Sequence, residues 1–142
     1  MAYIALFREM WRYAGKDRWK IVLYICLHLV AVSALLSIPY IFAQILNTLQ
    51  TLEGQEIIPA VTNWVILWVT LFFLFNVFHR IGRYFEFDVA YRVKQRFLNF
   101  HYRKLTNLPL KWHTDHHSGD TIHRVNLAAT ALHDFSIMQF LY

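Results

Sequence analysis

The sequence predicts an all-α integral membrane protein, a fragment of a helical bundle with long cytoplasmic helix extensions. Hydrophobic residues make up 57% of the chain and charged residues only 16%, whereas soluble domains have roughly 45–50% and roughly 25%. Four glycines and three prolines among 142 residues indicate few turns and therefore a small number of long elements. Two apolar runs, residues 21–46 and 57–78, each exceed the roughly 20 residues needed to cross a bilayer core.

The start of the chain predicts a short interfacial helix, here called the elbow helix (residues 1–19). Its apolar and aromatic residues share one face at helical spacing: Tyr3, Leu6, Phe7, Met10 and Trp11. Arg8, Glu9 and Arg12 lie on the other side. This division between an apolar and a charged face is typical of helices in the lipid headgroup region.

A first span is assigned to residues 20–50. It begins at a collar of basic and aromatic side chains, namely Lys16, Arg18, Trp19 and Lys20. Pro39 has no amide hydrogen to donate, so a kink is expected near it. Cys26 is the only cysteine, so the chain has no internal disulfide, and this residue is interpreted as a small buried hydrophobe.

Three polar residues of the first span are candidates for a translocation path. His28, Gln44 and Asn47 lie at membrane depth or at its edge, where polar side chains face protein or water rather than lipid. For His28, packing between helices is the competing interpretation.

Basic residues flank each apolar run at one end only. Five Lys or Arg precede the first run, nine follow the second, and the connecting loop has none but carries Glu53 and Glu56. The positive-inside rule then places both flanks in the cytoplasm. We therefore expect an integral protein of the plasma (inner) membrane with a cytoplasmic N-terminus. The net charge of +5 is explained by these basic flanks at the membrane. The expected partner is therefore a lipid bilayer and no nucleic acid.

Residues 57–108 are assigned to a second span with a cytoplasmic extension. Gly82 is the one helix breaker between Pro59 and Pro109, and a single glycine costs about 1 kcal/mol, too little to end a helix. Asp88 and Arg92 have the favourable i,i+4 spacing. An apolar stripe at every fourth position supports one long helix: Ile81, Phe85, Val89, Val93 and Phe97. The part beyond the membrane would measure about 43 Å.

After Pro109 the pattern indicates a short segment and a returning helix. Residues 110–118 have room for about two helical turns. Residues 120–142 form a further helix in this interpretation, with Asp120 as its N-cap. Its apolar stripe is Ile122, Val125, Ala129 and Leu132. Because the segment becomes more apolar toward its end, we expect it to be the start of a third span.

The stretch 97–124 resembles the first intracellular loop of type-I ATP-binding-cassette (ABC) exporters. The matching residues are Phe97, Leu105, Leu108-Pro109-Leu110, Trp112, His116, Gly119-Asp120 and Arg124. The order of elements is also similar along the whole chain, which would be the N-terminal part of such a transmembrane domain. Thr114 and Ala128 stand where the family often carries acidic residues, and His113 replaces a second aromatic residue.

The resemblance implies a role for the short segment. In the family it is a coupling helix that rests in a groove of a nucleotide-binding domain. The residues expected to dock are Trp112, His113, Thr114, Asp115, His116, His117, Gly119 and Asp120. The expected partners are that domain, on the same or another chain, and a second transmembrane domain that completes a dimer. ATP and Mg²⁺ would be held by the nucleotide-binding domain. This chain has no phosphate-binding loop of the Gly-x-x-x-x-Gly-Lys-Ser/Thr type, so no catalytic, cofactor or metal residue is assigned to it.

Three alternatives stay open at this point. His113, His116 and His117 lie close enough in sequence to bind Zn²⁺ or Ni²⁺. Two spans followed by a long helix also fit the membrane input module of a sensor protein, although the external loop is very short. The chain is also compatible with a non-functional fragment of an exporter.

Overall fold

The computed structural model describes residues 2–109, 111–112 and 118–137. Throughout these ranges the protein is all-α, and none of their residues forms a β-strand. The elements are α1 (Ala2–Ala14), a 3₁₀ turn (Gly15–Asp17), α2 (Arg18–Leu36), α3 (Ile38–Thr51), a second 3₁₀ turn (Gly54–Glu56), α4 (Ile57–Thr106) and α5 (Ser118–Ile137). Two helical stretches, Tyr3–Thr51 and Gly54–Thr106, are long and apolar enough to cross a membrane.

The first apolar run is interrupted where the kink was expected. α2 ends at Leu36 and α3 begins at Ile38, with Pro39 in the first turn of α3. The amide of Ser37 bonds to the carbonyl of Ala34, three residues back, at 3.3 Å. Proline has no amide hydrogen and its ring crowds the preceding turn, so the regular i to i−4 bonding fails there.

α4 is one helix of 50 residues, about 75 Å long at 1.5 Å per residue. It passes through Gly82 without a break, which confirms that this glycine does not end the helix. Arg103 and Lys104 lie in its last turn, where positive charge interacts favourably with the negative end of the helix dipole. The helix stops three residues before Pro109, which restricts the backbone of the residue preceding it.

The chain forms two compact units, and the first comprises Leu23–Arg83. In this unit α2 and α3 run antiparallel to the first part of α4. The ring centroids of Phe42 and Trp68 lie 5.6 Å apart, and those of His28 and His79 lie 5.1 Å apart. The buried residues form a narrow seam of Tyr24, His28, Ala31, Ile41 and Thr48. Large apolar side chains remain exposed outside it, including Leu29, Leu36, Ile58, Ile66 and Phe73.

The second unit comprises Met1–Val22 and Tyr84–Tyr142. α1, the start of α2, the remainder of α4 and α5 pack together around a core of Met10, Ala14, Ile21, Val89, Ala90, Val93, Ala129 and Leu132. The Tyr102 hydroxyl donates to Asn126 Oδ1 at 2.8 Å, and Lys94 Nζ donates to Thr130 Oγ1 at 3.4 Å. Because residue numbers fall along α4 as they rise along α5, the two helices are antiparallel.

The buried face of α4 includes only part of the apolar stripe seen in the sequence. On α4, Val89 and Val93 are buried, but Ile81 is exposed. A step of four residues advances about 40° beyond a full helical turn, so a stripe at every fourth position drifts around the helix. Ala90 is buried beside Val89 instead, since its small side chain allows a neighbouring helix to approach closely.

Similar corrections apply at single positions of the other helices. The buried face of α1 consists of Met10 and Ala14. The sequence had indicated Met10 on the apolar face but not Ala14. Cys26 is exposed, so its interpretation as a buried hydrophobe was wrong. Asp120 lies inside the first turn of α5, which begins at Ser118, and is therefore not its N-cap.

Candidate functional site at the base of the long helix

A cluster of five charged residues joins the elbow helix to α4 within the second unit. We call it the elbow clamp: Asp17, Lys20, Asp88, Arg92 and Arg96. Two of its members come from the turn after α1 and the first turn of α2, and three come from α4. Each carboxylate is shared by two cations, and Lys20 contacts both carboxylates. The alternation of charge along this network makes it self-neutralising except for one excess positive charge.

Asp88 is the centre of the contact between α2 and α4. Lys20 Nζ donates to Asp88 Oδ2 at 2.6 Å, and Arg92 Nε donates to the two carboxylate oxygens at 2.9 and 3.0 Å. The hydrogen bond from Lys20 is the main cause that lowers the pKa of Asp88. Partial burial opposes it, and Arg92 adds to the lowering. Asp88 is therefore ionised at neutral pH and fixes the rotation of α2 against α4.

Arg96 holds the end of the elbow helix. Its guanidinium donates to the carbonyls of Tyr13 and Ala14 and to the carboxylate of Asp17. A cation at a helix C-terminus satisfies carbonyls that have no amide partner and complements the helix dipole. Burial acts to raise the pKa of Asp17, but the hydrogen bonds and charges of Arg96 and Lys20 outweigh it and lower that pKa.

The turn that presents Asp17 depends on a glycine. Gly15 has φ +54°, a left-handed conformation that costs other residues roughly 1–2 kcal/mol. A Cβ at this position would lie 3.5 Å from Arg96 Nη1, which is ordinary contact. The requirement for glycine is thus set by the backbone and not by crowding.

Aromatic rings flank the charged groups on both sides along the helices. The ring of Tyr13 packs edge-on against Phe97 and Phe100, with centroids 5.2 and 6.1 Å away, and burial raises the pKa of the Tyr13 phenol. At the other end Trp19 packs against Phe85 at 6.1 Å. Within the clamp the side chains of Asp17 and Lys20 are the most buried, at 13% and 14% exposed.

The docking segment expected from sequence is described only at its two ends. Trp112 is half-buried, and its amide donates to the carbonyl of Pro109 at 2.9 Å. Gly119 and Asp120 are exposed, and Asp120 forms a 2.9 Å ion pair with Arg124. The remaining docking residues His113, Thr114, Asp115, His116 and His117 lie outside the described residues, and so does the alternative metal site.

A groove lies next to this segment, between the end of α4 and the start of α5. It has a volume of about 420 Å³ and is lined mainly by apolar surface from His101, Lys104, Leu105, Leu108, Thr121 and Val125. Leu108, one of its lining residues, lies two positions before the docking segment (residues 110–118) in the sequence.

The three residues expected to line a path are not brought together. His28 is buried, Gln44 is half-buried and Asn47 is exposed. Sixteen residues separate His28 from Gln44, about 24 Å along a helix. Gln44 and Asn47 supply backbone carbonyls that accept the hydroxyls of Thr48 and Thr51 at 2.8 Å. These placements give no common polar surface.

His28 instead makes a close helix–helix contact. Its Nδ1 donates to the carbonyl of Tyr24 at 2.8 Å, and its ring lies directly over Gly82. A Cβ on Gly82 would be 2.6 Å from both Cε1 and Nδ1 of His28. Glycine is therefore required at position 82 for α2 to approach α4 this closely.

The long-range ion pairs were not found by sequence reasoning. The spacing of Asp88 and Arg92 identified one pair, which the structure confirms. The partners of Lys20 and Arg96 are 68 and 79 residues distant, and no local spacing rule links them. Within the described residues no group of three or more His, Cys, Asp or Glu is arranged to hold a metal ion.

Comparison with known proteins adds no assignment. No family model matches the chain, and neither the curated proteins nor the solved structures gave a match.

Proposed function

We propose that the chain is the N-terminal part of the transmembrane domain of a type-I ABC exporter. In this proposal residues 1–19 are the interfacial elbow, 20–50 the first span, and 57–108 the second span with its cytoplasmic extension. Residues 110–118 are the coupling helix, and 120–142 start the third span. The chain transmits the movement of a nucleotide-binding domain, which supplies ATP and Mg²⁺, to the helices that surround a substrate path.

The observation that carries the proposal is the length of α4 together with the return of α5. At about 75 Å, α4 is far longer than the roughly 30 Å of a bilayer core, so about 45 Å would project beyond it. α5 then runs back along this projecting part and reaches the elbow helix, where the rings of Tyr3 and Phe135 are 6.3 Å apart. A sensor input module has no need for a helix that returns toward the membrane.

Membrane insertion is supported by charge and by exposure. All 14 Lys and Arg lie outside the two apolar runs, and none lies in the loop between them. None of the most apolar stretch of α4 is buried within the protein. Exposed surface that is both extensive and apolar requires lipid or other protein to cover it.

In the proposed mechanism α4 is a lever, and the elbow clamp attaches the elbow helix to the cytoplasmic part of that lever. A docking segment beyond Pro109 would receive the displacement of the nucleotide-binding domain. α4 is a continuous helix from Ile57 to Thr106, and in this proposal it carries that displacement toward the membrane. Arg96 and Asp88 attach the elbow to the cytoplasmic part of α4, so in this proposal the elbow moves together with that part of the helix. No group in the described clamp performs chemistry in this scheme.

Cysteine accessibility tests the membrane topology. In a Cys26→Ala background, Gln55→Cys should react with a membrane-impermeant maleimide in intact cells, whereas Ser118→Cys should react only after permeabilisation. Cys26 must be removed because it is exposed. The reverse labelling pattern would refute the orientation, and labelling of both positions in intact cells would refute the two spans.

Photo-cross-linking in the full-length protein or complex tests the function. A photoreactive amino acid in place of Trp112 should cross-link to a nucleotide-binding domain, and ATP should change the yield. The control is the same amino acid in place of Ile66, which is 58% exposed in the apolar part of α4 and should cross-link to lipid or to a transmembrane partner. A product with a dimerising kinase helix instead of an ATPase domain would support the sensor module and contradict the exporter.

A further inference from the structure

From the arrangement of residues around α1 we infer that the elbow helix carries a binding surface for anionic phospholipid headgroups. This inference rests on the proposed function in one respect, because it requires the elbow helix to lie at a membrane. The apolar spans predict a lipid bilayer but not the charge of its lipids, which this inference specifies. The surface, here called the elbow basic surface, consists of Arg8, Arg12, Lys16 and Arg18, all of which are exposed.

The helix surface divides into three sectors. Met10 and Ala14 are buried against the rest of the second unit. Next around the helix, at 100° per residue, come the apolar side chains of Ile4 and Phe7, which are 77% and 39% exposed, with Trp11 beside them. Arg8 and Arg12 follow beyond these, one turn apart on the same side. Each sector thus has a different chemical environment available to it: protein, hydrocarbon and headgroup.

This order of sectors indicates an interfacial helix with a charge preference. Helices that lie in the membrane interface bury their apolar face near the acyl chains and keep their basic residues at the level of the phosphates. Protein covers only the first sector in α1, so the exposed apolar sector sets the depth of the helix. The basic sector then lies at the headgroups. There each Lys or Arg increases the binding constant for an anionic membrane surface by about five-fold.

Contacts with the neighbouring apolar sector hold one member of the surface, Arg18, in place. Arg18 Nε donates to the carbonyl of Trp11 at 3.0 Å, and its guanidinium lies 5.6 Å from the Trp11 ring. Trp11 in turn stacks on Phe7 with a centroid distance of 6.2 Å. Cation and ring are therefore fixed together at the edge of the apolar sector, where interfacial aromatic residues occur in membrane proteins.

Among the described residues, acidic groups do not cancel the positive charge of the surface. Asp17, the acid nearest to Lys16 and Arg18 in sequence, is engaged by Arg96 and Lys20. Glu9 lies 3.8 Å from Arg12, at the limit of an ion pair on an exposed surface, where such pairs contribute little. An anionic leaflet is the partner whose charge complements what remains.

The test measures the lipid composition next to the elbow in the whole chain. A fluorescent NBD label is attached to Ile4→Cys in the Cys26→Ala background, and the protein is reconstituted in phosphatidylcholine vesicles. A small fraction of the lipid is either phosphatidylglycerol or phosphatidylcholine that carries a nitroxide quencher near the headgroup. We expect the phosphatidylglycerol quencher to be at least five-fold more effective at low salt, and its advantage to shrink as salt screens the charges.

Two charge-matched variants identify the residues. Arg8→Gln/Arg12→Gln/Lys16→Gln should reduce the preference to near parity. The control Arg103→Gln/Lys104→Gln/Lys111→Gln removes the same net charge from exposed positions at the far end of α4 and should keep the preference. An equal loss in both variants would overturn the proposal, because net charge and not the elbow would then be responsible. A helical circular dichroism spectrum like that of the parent shows that each variant is folded.

The remaining outcomes separate this inference from the proposed function. Equal quenching by the two lipids refutes the anionic preference but leaves the elbow at the membrane. No quenching by either lipid removes the elbow from the membrane and contradicts the proposed topology as well. If millimolar inorganic phosphate at constant ionic strength abolished the preference, the surface would bind soluble phosphate and the lipid assignment would be wrong.

Discussion

Replacing Asp88 by asparagine tests whether the elbow clamp holds the second unit together. The substitution keeps the size of the side chain and one acceptor oxygen but removes the negative charge. Lys20, whose side chain is only 14% exposed, then remains beside Arg92 with Asp17 as its single carboxylate partner at 3.3 Å. The variant therefore leaves two cations facing each other in a partly buried site.

The magnitude follows from the two contacts that Asp88 makes. A hydrogen bond between charged groups contributes about 1.5–3 kcal/mol, and the 2.6 Å contact with Lys20 belongs to this class. The i,i+4 pair with Arg92 contributes little, because the exposed guanidinium is screened by water. Since the amide oxygen retains part of the hydrogen bonding, we expect the free energy of unfolding to fall by about 2 kcal/mol.

Asp120→Asn is a matched control. Asp120 pairs with Arg124 at 2.9 Å and i,i+4 spacing, as Asp88 pairs with Arg92. The side chains of Asp120 and Arg124 are, however, 57% and 77% exposed. Loss of that pair should cost less than about 0.5 kcal/mol. The assay is unfolding of the purified chain in mild detergent micelles by added sodium dodecyl sulfate, followed by the ellipticity of the helices.

Equal destabilisation by the two substitutions would refute the reasoning. It would show that the contact of Asp88 with Lys20 contributes nothing beyond a surface pair. Combining Asp88→Asn with Lys20→Met provides a second measurement, because the interaction energy of the double-mutant cycle isolates this contact. We expect a coupling of about 1–2 kcal/mol.

Three further predictions concern the same helices. Gly82→Ala should destabilise the protein by about 1–3 kcal/mol in the same unfolding assay, because the added methyl group would collide with the His28 ring. This cost should vanish in a His28→Ala background. Additive effects of the two substitutions would contradict the close contact. Because the folded-state pKa values of Asp17 and Asp88 are lowered, their stabilisation is complete above the unfolded pKa near 4. This stabilisation is lost as pH falls through the lowered folded-state pKa values. The free energy of unfolding should therefore decrease less on acidification in Asp88→Asn than in the parent. The same pH dependence in both proteins would refute this. Arg96→Lys should cost about 1–2 kcal/mol, because one ammonium cannot reproduce a planar fork of donors to two carbonyls and a carboxylate. Faster amide hydrogen exchange in the turn after α1 would accompany that loss, whereas exchange identical to the parent would count against the capping role.

The clamp lies within a compact unit that has its own buried core. Asp17 and Asp88 join the elbow to α4 through charges that are neutralised in pairs. Such a network favours one arrangement of the helices, since each displaced partner would leave a partly buried charge unmatched.

The sequence alone determined the helical class, the two apolar runs and the continuity of α4. Composition, proline positions and helix propensity are local properties, and they act within a few residues. They were sufficient to predict the interruption near Pro39, the passage of α4 through Gly82 and the pair of Asp88 with Arg92. The docking role of residues 110–118 and the exporter assignment stay predictions from motif and charge.

Tertiary structure decided which faces of the helices are buried and which charges meet. The stripe through Ile81 and Val89 supported a continuous helix but did not indicate which of its members are buried, because a step of four residues drifts around a helix of 3.6 residues per turn and only packing fixes the contact line. Cys26 proved exposed for the same reason. Lys20 reaches Asp88 across 68 residues of sequence, a distance over which no periodicity carries information. Helix formation is encoded locally, whereas the rotation of each helix about its axis is set by the neighbours that it contacts.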